Sequence, residues 1–238
     1  MSSDELPIGD TVDFNPARPL ERAALDGAYA RLEPIDPAAH AGDLYAASHG
    51  EDGQPAIWTY LAYGPFESLD EFHDWLTECQ ASHDPLFLAV LDRVTGRPGG
   101  TGRAGGMASY LRMEPEAGAI EIGNIWFAPV LQRTRQATEA IFLMMRHAFD
   151  GLGYRRLEWK CNHLNAASRR AADRFGFTFE GIFRQHMIVK GRNRDTAWYA
   201  MMDHEWPRVR AGFEAWLAPG NFDEDGQERT KLAVQSGG

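Results

Sequence analysis

The stretch of residues 120–177 most constrains how this chain of 238 residues can fold. Residues 119–127, AIEIGNIWF, are rich in β-branched and aromatic side chains, which predicts a strand. Pro129 closes that strand, and residues 132–137 predict the beginning of a helix. One face of that helix, at a period of 3.6 residues, carries Ala137, Ala140, Ile141, Met144, Met145 and Ala148.

A second predicted strand follows the helix. A turn at residues 151–153, Gly-Leu-Gly, leads into residues 156–161, RLEWKC. The unit is therefore strand–helix–strand, with the helix N-terminus beyond the carboxyl end of the first strand. Backbone N–H groups and the helix dipole at such a position accept a phosphate.

The composition indicates one domain with extensions at both ends. No Pro- or Ser-rich linker divides the middle of the chain. We expect an N-terminal arm over residues 1–28, a domain over residues 29–203, and a C-terminal helix and tail over residues 204–238 that packs on the domain or trails from it. The two cysteines, Cys79 and Cys161, lack the spacing of a disulfide or metal site. A reducing cytoplasm is the simplest location.

Charge and hydropathy narrow the classes of partner. The formal net charge of −10 argues against nucleic acid, because phosphate contacts need clustered Lys and Arg. No run of about 18 uncharged apolar residues occurs, so no membrane span is expected. The eight histidines lack ligand spacing, so no metal is expected either.

An ordered set of motifs in this region resembles the GNAT superfamily of acyl-CoA N-acyltransferases, in particular its RimJ/RimL-type branch. The motifs are Glu121-Ile-Gly123, the turn of residues 132–137, Thr138-Glu-Ala140, Asn165-Ala-Ala-Ser168 and Gly176-Phe177. The resemblance implies an α/β three-layer fold with helices on both faces of a mixed, mostly antiparallel sheet. It implies six to seven strands, splayed between the fourth and fifth, and acetyl-CoA as the acyl donor.

The resemblance also implies which residues hold the donor. Backbone groups of the fourth strand would pair with the pantetheine amides, and the following turn would wrap the pyrophosphate. Arg135 stands where the family has its middle Gly. A side chain there hinders the close approach of the turn's backbone to the pyrophosphate, unless Arg135 takes ordinary helical φ and ψ angles. The implied cofactor-binding residues are Ile125, Trp126, Phe127, Gln132, Arg133, Thr134, Arg135, Gln136, Ala137, Thr138, Asn165 and Ser168.

Two residues are candidates for the chemistry. Glu121 lies mid-strand among apolar residues, so it is either a partly buried general base for the amine or a member of a salt bridge across the sheet. Many relatives protonate the CoA sulfur with a Tyr at the position of Ala172. The resemblance suggests Ser168 as the substitute proton donor, and Asn165 as the helix cap.

The acceptor stays open between a small-molecule amine and a peptide or protein N-terminus. The aromatic loop of residues 57–66 and the hairpin residues Arg192, Arg194 and Trp198 are expected to wall its site, or to be ordinary core. The N-terminal arm and the final helix either narrow the acceptor groove or form a homodimer contact. The alternative function is an acyl-CoA-binding regulatory module with little catalysis, which Arg135 and Ala172 favour.

Overall fold

One mixed sheet of eight strands runs through the computed structural model, which describes residues 6–50, 54–93, 102–224 and 226–234. The strands are β1 (Leu25–Asp26), β2 (Ala30–Pro34), β3 (Leu86–Asp92), β4 (Ala104–Glu114), β5 (Ala119–Phe127), β6 (Arg156–Asn162), β7 (Thr178–Val189) and β8 (Arg192–Met202). Their order is β1-β2-β3-β4-β5-β6-β8-β7, and β5 and β6 are parallel whereas the other neighbours are antiparallel. The predicted α/β sheet is confirmed, with one strand more than expected because Leu25–Asp26 pairs with β2.

Five α-helices cover the two faces of the sheet. They are α1 (Pro37–His49), α2 (Leu69–Ala81), α3 (Arg135–Arg146), α4 (Ala166–Arg174) and α5 (Trp206–Leu217). Side chains of Asp36, Ser68, Thr134 and Asn165 cap the first four by accepting a backbone N–H in the first turn. Within the described ranges, every helix lacks the length and apolar character needed to cross a membrane.

Strand alternation divides the buried side chains into two cores. Ile120, Ile122 and Leu157 belong to the larger core, which also takes the apolar sides of α3 and α5. Trp126 belongs to the smaller core on the other face, together with Leu44 of α1 and residues of α2. Neighbouring side chains of one strand therefore lie on opposite faces of the sheet. Glu121, between Ile120 and Ile122, points to the face of α1 and α2.

A bulge in β5 separates it from β6. Met107 faces Trp126 and Ser109 faces Gly123, so Asn124 and the residue after it oppose a single residue of β4. Asn124 has a left-handed φ of 52°, and its Nδ2 donates to Ser109 Oγ at 2.9 Å. A bulge bends and twists its strand. Consistent with that, β5 pairs with β6 only over residues 119–121, and the predicted splay lies beyond this point.

A buried carboxylate of α3 holds the N-terminal segment on the sheet. Glu139 is 5% exposed and accepts the backbone N–H groups of Ala28, Tyr29 and Ala30 at 2.9, 2.6 and 2.6 Å. These are charge-assisted bonds to groups that would otherwise be buried without a partner. Glu139 thus fixes the beginning of β2 against α3. The motif Thr138-Glu-Ala140 includes Glu139, but the sequence pattern does not indicate that Glu139 anchors the N-terminal segment.

We expect Glu139→Ala to lower the free energy of unfolding by at least about 3 kcal/mol, since each buried donor left unpaired costs about 1–3 kcal/mol. Urea denaturation followed by circular dichroism measures this loss. The matched control is Glu214→Ala, which removes a carboxylate from an exposed Arg210–Glu214 pair on α5 and should change stability little. Equal effects of the two substitutions would contradict the anchoring role of Glu139.

Candidate active site

The carboxyl half of β5 has one paired edge and one open edge. Trp126 and Phe127 pair with Met107 and Gly106 of β4, whereas the edge towards β6 has no strand partner after Glu121. The side chain of Trp126 is 3% exposed and lies 5.4 Å from the Trp58 ring between centroids. The side chain of Trp126 is therefore core, while backbone groups of residues 125–127 border the gap between the strands.

The turn after β5 delays the beginning of α3. The N–H groups of Leu131 and Gln132 both donate to the carbonyl of Ala128, and Thr134 Oγ1 then accepts the N–H of Ala137 at 3.3 Å. The helix begins at Arg135, inside the predicted range of residues 132–137 but not at its first residue. The physical reason is that the turn and the Thr134 cap satisfy these donors without helical geometry.

Several N–H groups at this helix end remain available for a ligand. Within the described ranges, the N–H groups of Arg133, Arg135 and Gln136 have no hydrogen-bond acceptor. The N–H of Ala137 is occupied by the cap, and the N–H of Thr138 donates to the Thr134 carbonyl at 3.2 Å. The predicted phosphate grip over residues 133–137 therefore has three open donors at the positive end of α3.

The side chains predicted around the pyrophosphate take several directions. Gln132 Nε2 donates to the Phe127 carbonyl at 2.9 Å, and Gln136 Nε2 donates to Asp92 Oδ1 at 3.2 Å. Thr138 Oγ1 donates to the Thr134 carbonyl and accepts from Arg174 Nη1. These bonds fix the turn to the end of β5, to β3 and to α4.

Arg135 does not carry the backbone strain that its place in the motif suggests. It is the first residue of α3, and its guanidinium lies over the rings of Tyr29 and Phe222, at 4.5 and 5.2 Å from their centroids. The left-handed residue of this turn is Arg133, with a φ of 63°. The position that favours glycine on conformational grounds is therefore 133.

The two arginines should respond oppositely to glycine. Arg133→Gly relieves a left-handed conformation that costs roughly 1–2 kcal/mol in an L-residue, so we expect an unchanged or higher melting temperature. Arg135→Gly loses about 1 kcal/mol of helix propensity together with both ring contacts, so the melting temperature should fall by several degrees. Differential scanning calorimetry compares the pair. A larger loss in Arg133→Gly than in Arg135→Gly would contradict this assignment.

Glu121 lies at the point where β5 and β6 part. It is 3% exposed, and its Oε2 receives Arg112 Nη1 at 2.6 Å and Lys160 Nζ at 3.0 Å. Burial raises the pKa of Glu121, and the charges and hydrogen bonds of Lys160 and Arg112 offset only part of that rise. Its Oε1 lies beside Gly123, where a Cβ would approach it to 3.3 Å.

Lys160 joins Glu121 to a chain of alternating charges. Its side chain is 5% exposed, its Nζ lies 2.6 Å from Glu158 Oε2, and it sits 3.8 Å from the centroid of the Trp198 ring. Arg156 continues the chain by contacting Glu158 at 2.8 Å and Glu180 at 2.5 Å. The salt-bridge alternative for Glu121 is thus present in the structure. Lys160 and Arg112 could not be identified from the sequence, because their contacts depend on the pairing of β4, β5 and β6.

Ser168 is held on the other side of β6. Its N–H donates to Asn165 Oδ1 at 3.0 Å, and its Oγ accepts the indole N–H of Trp159 at 2.9 Å. Burial raises the pKa of the Cys161 thiol, and a hydrogen bond with Ser168 lowers it in part, so the thiol stays protonated at neutral pH. Glu121 contacts Lys160 and Ser168 contacts Cys161. The two candidates therefore flank opposite faces of β6.

The hairpin of β7 and β8 closes towards the loop after α1. Lys190 Nζ, at the hairpin tip, donates to the carbonyl of Trp58 at 2.9 Å. Tyr60 Oη donates to the carbonyl of Leu164, between β6 and α4, at 3.2 Å. These contacts hold the aromatic loop against the hairpin tip and against the turn between β6 and α4. The loop and the hairpin therefore contact each other, and their role as walls of the acceptor site stays a prediction.

A mixed sheet with a splayed parallel pair and a capped helix end beyond it is an α/β fold that this chain shares with solved acetyltransferase structures. A sequence profile of the acetyltransferase (GNAT) domain matches residues 30–178, so the chain belongs to the GNAT family and is an N-acetyltransferase.

Relatives at several levels of sequence identity support this assignment. A GCN5-related N-acetyltransferase from Brucella melitensis is 47% identical with a TM-score of 0.87, over 92% of this chain and 96% of that one. A GNAT-family structure from Chromobacterium violaceum is 42% identical with a TM-score of 0.74, over 85% and 100%. YdaF of Bacillus subtilis, assigned as a ribosomal N-acetyltransferase, is 29% identical over 101 residues, 42% of this chain and 55% of that protein. The last similarity supports the RimJ/RimL-type branch.

Proposed function

We propose that this protein moves an acetyl group from acetyl-CoA to a primary amine by direct attack in a ternary complex. The observation that carries the proposal is the open edge of β5 leading to the unpaired N–H groups of Arg133, Arg135 and Gln136. An extended chain of amides ending in a pyrophosphate matches an open strand edge followed by a positive helix end. A homodimer and a cytoplasmic location stay predictions.

Acetyl-CoA supplies the activated acetyl group. Backbone groups of Ile125, Trp126 and Phe127 would pair with its pantetheine arm and polarise the thioester carbonyl. The N–H groups at the beginning of α3 would hold the pyrophosphate. The side chains of Gln132, Thr134, Gln136 and Thr138 position these backbone groups. Ala137 is held through its N–H by the Thr134 cap, and Asn165 caps α4, which carries Ser168.

Glu121 is the proposed general base. Its Oε2 is engaged by Arg112 and Lys160, which leaves Oε1 to accept a proton from the amine, directly or through water. The amine nitrogen then forms the new C–N bond while the C–S bond breaks. The raised pKa of Glu121 improves it as a base relative to an exposed carboxylate.

Ser168 is the proposed donor of a proton to the departing thiolate. The hydrogen bond that it accepts from Trp159 polarises its O–H. That O–H, which contacts the Cys161 thiol, would turn to the sulfur of CoA to donate its proton. Ala172, where many relatives have Tyr, is fully buried in the larger core. Its methyl group cannot donate a proton, so position 172 does not take the role proposed for Ser168. The acceptor amine is either a small molecule or a protein N-terminus.

Acetyl-CoA should stabilise the protein against heat. At 100 times the dissociation constant, a ligand adds about 2.7 kcal/mol, which corresponds to a rise in melting temperature of roughly 5–10 °C for a chain of this size. CoA should act similarly, whereas ATP and NAD should not. Absence of a shift at millimolar acetyl-CoA would contradict the assignment of the open edge and the α3 N-terminus as a CoA site.

The alternative, a regulatory module that binds acyl-CoA, is favoured by the absence of Tyr at Ala172. It shares the thermal shift but predicts no turnover. Release of free thiol from acetyl-CoA in a panel of amines separates the two functions, because only the enzyme releases CoA in an amine-dependent manner.

We expect Glu121→Gln to lower kcat about 10²–10⁴-fold, as loss of a general base does. In wild type, both the base and the amine must lose a proton. A plot of log kcat/KM against pH should therefore bend from a slope of two to a slope of one at the raised pKa of Glu121, above 4.5. Activity is lost as pH falls through that pKa. The variant should show a slope of one throughout.

Glu158→Gln is the matched control for that experiment. It removes the other carboxylate that contacts Lys160 and leaves Glu121 in place. The bend should persist in this variant. Loss of the bend in both variants, with equal loss of kcat, would assign Glu121 to the charge network alone.

A further inference from the structure

The wall of the acceptor space formed by β8 contains an arginine without an acidic partner. Arg194 Nε donates to Thr196 Oγ1 at 3.2 Å, and Thr196 is fully buried. The same hydroxyl bonds His186 Nδ1 at 2.9 Å, which fixes the direction of both side chains. In the ranges that the structure describes, no carboxylate lies within ion-pair distance of Arg194, and its terminal nitrogens have no acceptor.

Neighbouring charges are already paired. Arg112 and Lys160 share Glu121, and Lys160 also contacts Glu158. Asp195, the acid next to Arg194 in sequence, points to the other face of β8. Its Oδ1 accepts the N–H of Gln185 in a bulge of β7 at 2.7 Å. Glu121 and Glu158 therefore neutralise Arg112 and Lys160. Arg194 has no such carboxylate partner among the described residues.

Arg194 lies on the same face of β8 as Trp198, whose ring contacts Lys160, the partner of Glu121. Burial lowers the pKa of the Arg194 guanidinium, Cys161 and Glu121 raise it, and Arg112 lowers it further. His186, on the neighbouring strand, has a pKa lowered by burial and by the charges of Arg194, Arg112 and Lys160. A guanidinium that loses water without gaining an anion is unfavourable, so the site favours an incoming anion.

An unpaired indole N–H on the strand of Arg194 is a further donor. Trp198 has a buried Nε1 without an acceptor among the described residues. Trp198 lies two residues beyond Thr196 on the same face of β8, and its ring stacks on Phe183 at 4.4 Å between centroids. An indole N–H can only donate. A ligand with oxygen acceptors satisfies such groups, whereas an ammonium group does not.

An open cavity lies beside the β7 bulge. It has a volume of about 620 Å³ and is lined by Phe183, Arg184, Gln185 and His186. His186 links it to Arg194, because both side chains bond the Thr196 hydroxyl. The cavity lining adds the positive charge of Arg184, although the whole chain carries −10. The net charge of the chain alone would favour a cationic ligand at long range, but the local charges favour an anion.

We infer that the acceptor is a primary amine that also carries an anionic group, a carboxylate or a phosphate, which binds Arg194 while the amine lies at Glu121. The inference rests on the proposed function and specifies its substrate class. Bidentate pairing with a planar guanidinium fixes the orientation of an anion, and hence the direction of the amine.

Matched pairs of acceptors test the inference. ω-Amino acids of increasing chain length are compared with their amides, and aminoalkyl phosphates with the corresponding amino alcohols, by thiol release with correction for amine pKa. Wild type should prefer the anionic member of at least one pair about 10- to 100-fold in kcat/KM, the range expected for a hydrogen bond to a charged group. The carboxylate and phosphate pairs identify which anion is used.

Variants assign that preference to Arg194. Arg194→Gln should remove it mainly through KM, and Arg194→Lys should retain part of it. The thermal shift with acetyl-CoA should stay unchanged in both. Arg170→Gln, which removes an exposed charge from α4, is the control for net charge and should keep the preference. Equal turnover of charged and neutral members by wild type would overturn the inference, as would equal losses for both members in Arg194→Gln.

A binding measurement separates failure of the inference from failure of the proposed function. Melting temperatures are measured with CoA present and with each acceptor added, in wild type and in Arg194→Gln. A shift specific to anionic acceptors that is lost in the variant supports the inference even without turnover. Without such a shift the inference is wrong, while turnover of neutral amines would leave the proposed function standing. If acetyl-CoA gave no thermal shift and no amine led to thiol release, the proposed function itself would be contradicted.

Discussion

The separation of β5 from β6 is the constraint on which the rest of the site depends. Two parallel strands that paired along their whole length would have no backbone groups to offer a ligand. The bulge at Asn124 bends β5, which parts from β6 after Glu121, so Trp126 and Phe127 keep their pairing with β4 while residues 125–127 expose their other edge. The same divergence leaves the beginning of α3 beyond the end of the strand. One local irregularity thus provides both the strand edge and the helix end of the proposed CoA site.

Buried charged side chains are a second constraint on this structure, because each of them needs a compensating partner. Glu139 is satisfied by three backbone N–H groups, and Glu121 by Arg112 and Lys160. Each buried carboxylate is compensated, as the desolvation penalty requires. Arg194 differs because the acid beside it serves the β7 bulge instead. The contrast between compensated and uncompensated charges distinguishes groups that hold the fold together from a group placed to meet a ligand.

Much of the fold could be predicted from local patterns. The β-branched and aromatic composition of residues 119–127 and the helical face from Ala137 to Ala148 depend on neighbours in sequence, and the structure confirms both. Where α3 begins within residues 132–137 depends on the Thr134 cap and on the bonds of the preceding turn. The strain expected at Arg135 lies at Arg133, since backbone conformation at a turn depends on where the helix begins.

The sequence by itself determined the order of strands and helices, the acetyltransferase family and the candidates Glu121 and Ser168, because hydrophobic period, cap residues and motif spacing are local properties of the chain. Only the tertiary structure decided the partners of those candidates. Lys160 reaches Glu121 through the register of two strands separated by a whole helix, and Trp159 reaches Ser168 from a strand to a helix. Among the described residues, Arg194 has no carboxylate partner for the same reason. Which charges meet depends on the pairing of strands distant in sequence, and no local pattern contains that information.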